Sequence, residues 1–423
     1  MDQSQSRTVR YAVGGLSGLA LLLLLAWLIL RESPPSPVQS ARFAPVPSSA
    51  SPSAPALMPD ERVPHEPATN QVAGAIITNA AVLYQQAFAL YDALTKEEKD
   101  LIIGGTNDPS VTADLCAKIQ PMCDLMRQAA AVSNCDWGVE QPVTFATRFP
   151  YVRPCRDLAR AAIWSVGHCR TNDPSAVVDD LVATSRLGQN VSRPPMIVIT
   201  CLVDQAIQGL VAHSVADNAS LLASTDDSQL IDLLANAHYD DVLCRAIEQS
   251  ADEVTRLADD VAAMPPEEAQ RSLKDPSAYY GDGFQTQQIQ SMGQAQQAAA
   301  IRQAAEVQLE YAQALVMPDA EYSAWMAGLH EDENANPFIG GFLTPLEGAV
   351  DKTQYATVVS AMAAAGLAVM QDGPDALDSY PDPATGQPFT YTQTDDGFTL
   401  ESGFQLQGNS SLSQRMPLKL SFK

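Results

Sequence analysis

This chain lacks most of the residue patterns that announce chemistry. Its seven cysteines include no C-x-x-C pair, which excludes a zinc ribbon or a thioredoxin-type redox motif. Its five histidines, His65, His168, His213, His238 and His330, lie far apart and form no H-E-x-x-H spacing. There is no G-x-S-x-G elbow, no phosphate loop and no dinucleotide fingerprint. The sequence therefore nominates no catalytic residue, no cofactor and no metal ligand set. Aromatic residues make up only 6%, which argues against a β-sandwich and for close-packed helices. Basic residues are scarce as well, 25 against 50 acidic ones, a formal charge of −25. A surface so acidic repels nucleic acid and anionic headgroups, both of which need basic patches, and no nucleic-acid partner is expected.

What is present begins with an apolar run. Residues 11–30, YAVGGLSGLALLLLLAWLIL, carry no charge and centre on five consecutive leucines. At about 1.5 Å rise per residue, a helix of this length covers roughly 30 Å, the hydrocarbon thickness of a bilayer. The expected lipid partner is therefore the bilayer, contacted through residues 11–30. A cleaved signal peptide has a shorter apolar core of about 7–15 residues, so an uncleaved anchor is favoured. Arg7 and Arg10 precede the run and only Arg31 follows closely, which predicts a cytoplasmic N-terminus over residues 1–10 and an extracytoplasmic body. Residues 31–67 are dominated by proline, serine and alanine without apolar periodicity, the composition of an extended, disordered linker.

Helical periodicity takes over in residues 68–373. Val72, Ile76, Leu83, Tyr84, Phe88 and Tyr91 recur at three- and four-residue steps. Thr95-Lys-Glu-Glu98 reads as a capping box closed by Gly104-Gly105, and Asp108-Pro109 opens a longer helix. Residues 135–150 have no period and read as a crossing loop. A helix over 152–169, then Asp173-Pro174 and Pro194-Pro195 as further helix starts, predict antiparallel hairpins. Segments 228–235 and 239–264 continue the pattern. The Gln/Ala-rich run 285–316 has few large apolar residues and predicts a weakly buried, peripheral helix. Residues 319–330 and 351–370 complete the helical set. In 374–423 the period drops to two: Phe389 to Gln393, Gly397 to Ser402 and Leu418 to Phe422 predict a small antiparallel β-element packed on the helices, turned at Asp395-Asp396-Gly397. The fold class is thus mainly α, an irregular, solenoid-like set of hairpins with a C-terminal β-element.

Two constellations are candidate sites. Arg148, Arg153, Arg156, Arg160 and Arg170 cluster in a strongly acidic chain, and Arg153, Arg156 and Arg160 fall at i, i+3 and i+7, one stripe of a helix. They form either an anion or partner-carboxylate contact or ion pairs with Asp157, Asp173, Asp179 and Asp180 across the hairpin, and the pairing is favoured because salt-bridged helix faces are common. Outside the cytoplasm up to three disulfides can form. Cys155 and Cys169 stand about 21 Å apart along one helix and cannot bridge. Cys123 with Cys135 closes a short loop and is the preferred pair, with buried reduced thiols as the alternative. The acidic groups at 331–334 and at Asp372, Asp375, Asp378 and Asp382 do not match a calcium loop and read as solvated loops and caps.

The stretch Arg153-Pro-Cys-Arg-Asp-Leu-Ala-Arg, followed by Asp173-Pro-Ser-Ala-Val-Val-Asp-Asp-Leu, is similar to a family of uncharacterised, membrane-anchored bacterial proteins. So is the C-terminal Asp382-Pro-Ala-Thr-Gly-Gln-Pro-Phe-Thr-Tyr with Asp396-Gly-Phe-Thr-Leu. The resemblance covers about a third of the chain and implies a tetratricopeptide-like hairpin in an envelope protein, with no activity to carry over. No 34-residue repeat accompanies it. The expected function is a single-pass envelope scaffold or binding module with a protein partner. An envelope hydrolase assembled from separate helices, or an accessory part of an envelope assembly or secretion machine, are the alternatives.

Overall fold

The computed structural model describes the chain from Gln71 to Phe422, apart from residues 73–74, 105–108, 142, 144–146, 171–172, 195, 226, 238, 266, 269–285, 316, 318–320, 323, 330–335 and 406–416. The N-terminal segment, the apolar run and the linker lie outside the described residues.

The helical body starts later than the apolar period implies. Gln71–Val72 (β1) and Ala75–Ile76 (β2) pair antiparallel, and helix α1 begins only at Ala80 and runs Ala80–Asp92. Asn79 decides the boundary. Its side-chain oxygen accepts from the Ala81 amide at 3.1 Å and the Asp136 amide at 2.9 Å, capping the helix and tying it to a distant loop. Helix α2 (Lys96–Gly104) carries the expected capping box. The Thr95 amide donates to the Glu98 carboxylate at 2.8 Å, and the Glu98 amide donates to the Thr95 hydroxyl at 3.2 Å.

Helices α3 (Pro109–Ala130), α4 (Val152–Cys169) and α5 (Pro174–Val191) follow, the last capped by Asp173, which accepts from the Ala176 amide at 3.1 Å. They close a core around Tyr84, Leu115, Ile119, Met122, Leu158 and Leu187. The irregular segment between α3 and α4 does more than cross over. Its Trp137 stacks on Tyr151 with ring centroids 4.4 Å apart, leans on Tyr84 and Phe88, and donates its indole N–H to the Asn190 carbonyl at 2.8 Å. One half-buried aromatic thereby locks the loop onto α1 and α5.

Helix α6 (Val198–Asp217) is the hub, starting three residues beyond the second proline of the expected Pro194-Pro195 start. Val203 and Ile207 face the first core, Val211 and Val215 a second, and Leu202 a third. A helix apolar all round belongs inside a body or a membrane. Both α6 and the 36-residue α12 (Pro337–Asp372) are long and apolar enough to span a bilayer, but 72% of each apolar stretch is buried in this body. The second core joins α6, the short α7 (Ala219–Leu222), α8 (Ser228–Ala235) and the C-terminal half of α12. The third joins α9 (Tyr239–Ala263), α10 (Thr286–Gln290), α11 (Gln294–Ala314) and the first half of α12.

Helix α11 corrects an expectation. The Gln/Ala-rich run is not peripheral: Ala298, Ile301, Ala304, Ala305 and Tyr311 are buried against α9 and α12. Alanine lets helix axes approach closely, so few large side chains are needed to fill the interface. Helix α12, for its part, begins fourteen residues before the expected Asp351, with Asn336 accepting from the Phe338 amide at 3.0 Å.

Beyond Gly373 and a short 3-10 turn (Pro374–Ser379), strands β3 (Thr390–Thr394), β4 (Gly397–Gln405) and β5 (Pro417–Phe422) form the expected antiparallel sheet in the order β3-β4-β5. It is part of the second core. Phe398 and Phe422 stack at 4.8 Å, and Phe422 presses on Gly366 of α12 so closely that a methyl group there would lie 2.0 Å from Phe422 Cζ. The Asp382-Pro-Ala-Thr-Gly386 segment is a structural turn. The buried Asp382 carboxylate accepts from the Ala384 amide at 2.9 Å, the Ser402 hydroxyl at 2.8 Å and the Gly403 amide at 2.9 Å, pinning the turn to β4.

The preferred cysteine pair is overturned, and its alternative, buried thiols, holds for both residues. The disulfide joins Cys116 of α3 to Cys169 at the end of α4, with Cα atoms 5.7 Å apart, whereas Cys123 and Cys135 are buried reduced thiols. Sequence proximity favoured a short loop closure, but α3 and α4 pack side by side and bring together two cysteines 53 residues apart.

Candidate functional site

The arginine stripe lies in a cleft. Phe88, Tyr91 and Asp92 from α1, Lys96, Lys99, Asp100 and Ile103 from α2, and Arg153, Pro154, Arg156, Asp157 and Arg160 from α4 enclose about 470 Å³. That volume matches pockets for small ligands. Five cations face three carboxylates, a surplus of two positive charges in a chain whose formal charge is −25.

The placement of these cations opposes local stability. Lys96 opens α2, and Arg153 sits in the first turn of α4, which holds no acidic residue. Helix N-termini carry partial positive charge, so cations there are disfavoured by roughly 0.3–1 kcal/mol each at exposed positions. The first turn of α2 also holds Glu97 and Glu98, which offset Lys96 there, so Arg153 of α4 is the cation whose turn lacks an acidic residue.

Its internal ion pairs are long. Arg153 Nε stands 3.5 Å from Asp157, Arg156 3.4 Å from the same carboxylate, and Lys96 3.6 Å from Asp100. Elsewhere pairs close to 2.6 Å for Lys118–Glu98 and 2.7 Å for Lys419–Glu401. Strong charge-assisted bonds fall near 2.7–2.9 Å, so Asp157 and Asp100 hold Arg153 and Lys96 only loosely. Lys99 donates to the Asp92 carbonyl at 3.0 Å, and its ammonium stands 5.4 Å from the centre of the Tyr91 ring. Burial, and next the Asp157 carboxylate, push the Tyr91 hydroxyl up to about 12, so it stays a neutral donor.

The expected pairing across the hairpin is met only in part. Arg153 and Arg156 pair along their own helix with Asp157, and Asp173 serves as a cap. Arg170 reaches Asp180 at 3.2 Å, joined there by Arg127 of α3. Arg148 is exposed on the loop. Sequence reading did not find Lys96, Lys99 or the apolar wall of Phe88, Tyr91 and Ile103. The legible signal was Arg153, a cation in a first turn of α4 that holds no acidic residue.

Two other polar centres are buried. Asp204 of α6 accepts from the Ser192 hydroxyl at 2.8 Å and the Gln208 amide at 2.9 Å, and burial lifts its carboxyl to about 6. Glu253 of α9 is lifted to about 7, again by burial. His168 stacks on Trp164 and its Nδ1 stands 2.9 Å from the Trp164 carbonyl, and His213 meets the Tyr355 hydroxyl at 3.2 Å. No group of three metal-ligating side chains occurs among the described residues.

Comparison with family models, curated proteins and solved structures yields no match, so the site is read from its own chemistry.

Proposed function

We propose that this chain is a binding module held to a membrane by residues 11–30, with the helical body outside the cytoplasm and the α1–α2–α4 cleft as its contact site for an anionic ligand or partner group. The observation that carries the reading is the presence of five of the chain's 25 cations around one cleft, where Lys96 and Arg153 stand 3.6 and 3.5 Å from Asp100 and Asp157. The Cys116–Cys169 disulfide supports the location, because such bonds persist in oxidising compartments. The segment resembling a bacterial envelope family, Asp382 to Gly386, folds as a turn, so that likeness adds nothing about chemistry.

The test uses the full-length protein in neutral detergent. Millimolar sulfate or citrate raises the unfolding midpoint of the wild type, and Arg153→Gln combined with Arg160→Gln abolishes the rise. Equal protection of both proteins, or none of either, overturns the cleft as the contact site. Protease accessibility in intact cells and spheroplasts, with a carbonate wash, checks the tether; a fully extractable chain removes it.

A further inference from the structure

We propose that the exposed edge of β3 takes up an extended, basic peptide segment as a fourth strand of the C-terminal sheet. This surface is separate from the cleft, which is lined by α1, α2 and α4, whereas the sheet packs on α6 and α12.

The two edges of the sheet are built differently. The order β3-β4-β5 leaves β3 and β5 on the outside. A strand edge presents unpaired backbone N–H and C=O groups, and proteins block it with proline, lysine, bulges or a covering element. Strand β5 has these devices. It opens with Pro417, carries Lys419 paired to Glu401 at 2.7 Å, meets β4 across a register shift, and packs on α6 and α12. Strand β3 has none of them. Thr390-Tyr-Thr-Gln-Thr394 contains no charge and no proline, keeps an unbroken register with β4, and is exposed at every residue but Tyr391. Among the described residues no strand pairs with its outer side. The Tyr391 ring stands 5.4 Å from that of Phe398 and anchors the strand to the second core. The edge is therefore held extended before a partner arrives, and main-chain bonds to an added strand need no ordering of β3.

Side chains and charge define the occupant. Thr390, Thr392 and Thr394 alternate onto one face, where β-branched side chains of an added strand would pack beside them. Just past Thr394, Asp395 and Asp396 are exposed in the turn. Between Lys352 and Arg415 the sequence holds seven carboxylates and no cation. A strand with lysine or arginine at its ends meets complementary charge here, and an acidic one is repelled. A second copy of the chain would bring a further charge of −25 to the contact.

Fluorescence anisotropy with the full-length protein in neutral detergent tests the proposal. The probe is a labelled peptide of alternating valine and threonine with a pair of lysines at each end. It is expected to bind about tenfold tighter than the same core flanked by glutamates. Methylating alternate backbone nitrogens removes the donors of one peptide edge and leaves the charge unchanged. One methylated series should lose about tenfold in affinity and the complementary series should match the parent, because only one peptide edge faces β3. Thr392→Lys with Thr394→Lys, both exposed positions, should weaken binding about tenfold with unchanged melting. Asp395→Asn with Asp396→Asn should weaken it severalfold. If both methylated series bind like the parent, the attraction is diffuse charge and the proposal is overturned. Binding that survives the two lysines lies elsewhere and overturns it as well. Absence of peptide binding beside a concentration-dependent dimer that the lysines disperse assigns the edge to a second copy, and the peptide reading falls.

Discussion

Asp204 shows how one buried side chain sets a pH response. Its carboxyl titrates near 6 in the folded protein and near 3.9 in the unfolded chain. Between about pH 4 and 6 the folded state therefore holds a proton that the unfolded chain has already released. Stability is greatest at the acidic end of this window and declines as pH rises through it, by an amount on the order of 3 kcal/mol. Asp204→Asn keeps partners for Ser192 and Gln208 and needs no ionisation. Urea unfolding at pH 4.5 and 7.5 should show a smaller difference for this variant than for the wild type. Glu253, lifted to about 7, adds a decline of the same sign in both proteins, so the comparison isolates Asp204.

Close packing at two glycines operates at the same scale. A methyl group at Gly188 of α5 would lie 2.6 Å from Asp204 Oδ1, and one at Gly366 would lie 2.0 Å from Phe422. Gly366→Ala is expected to cost about 1–3 kcal/mol through overpacking. The double variant Gly366→Ala/Phe422→Leu should lose less than the sum of the two single changes. Additive losses in denaturant titrations would show that the two positions do not meet.

Among the elements, α3 and α4 are joined covalently. Their disulfide closes a separation of 53 residues, which in the chain-entropy account restricts the unfolded state by about 4 kcal/mol. Reduction, or Cys116→Ser with Cys169→Ser, should lower unfolding stability by about 2–4 kcal/mol, and removal of Cys123 or Cys135 should leave the disulfide count unchanged in a thiol assay. Most helices were legible at this level because caps are local chemistry. Thr95 with Glu98 and Asp173 with Ala176 act within three residues, so their boundaries follow from short sequence. The start of α1 was not legible, since Asn79 is fixed partly by Asp136 and the Ala80 amide donates to the Asn134 carbonyl, both more than fifty residues away. Nor was the depth of α11, because an alanine face reads as weakly apolar until a partner helix is close enough to use it.

For the whole molecule, charge is the governing quantity. A chain this acidic gathers a fifth of its cations around one cleft, and salt should weaken any anion held there by screening over about 8–10 Å. The arginine stripe on α4 was visible as helical spacing. Its conversion into a cleft depended on α1 and α2, separated from it by α3 and the Trp137 loop, so half of the site lay beyond reach of any local pattern.

The order of residues alone determined the helical character, most helix ends, the terminal hairpin and the scarcity of positive charge, because periodicity, caps and turns are settled among near neighbours. Tertiary structure alone decided which cysteines join, which apolar helices form the interior and which cations meet. Those outcomes depend on distances between segments remote along the chain, and such distances come into being only when the side chains pack.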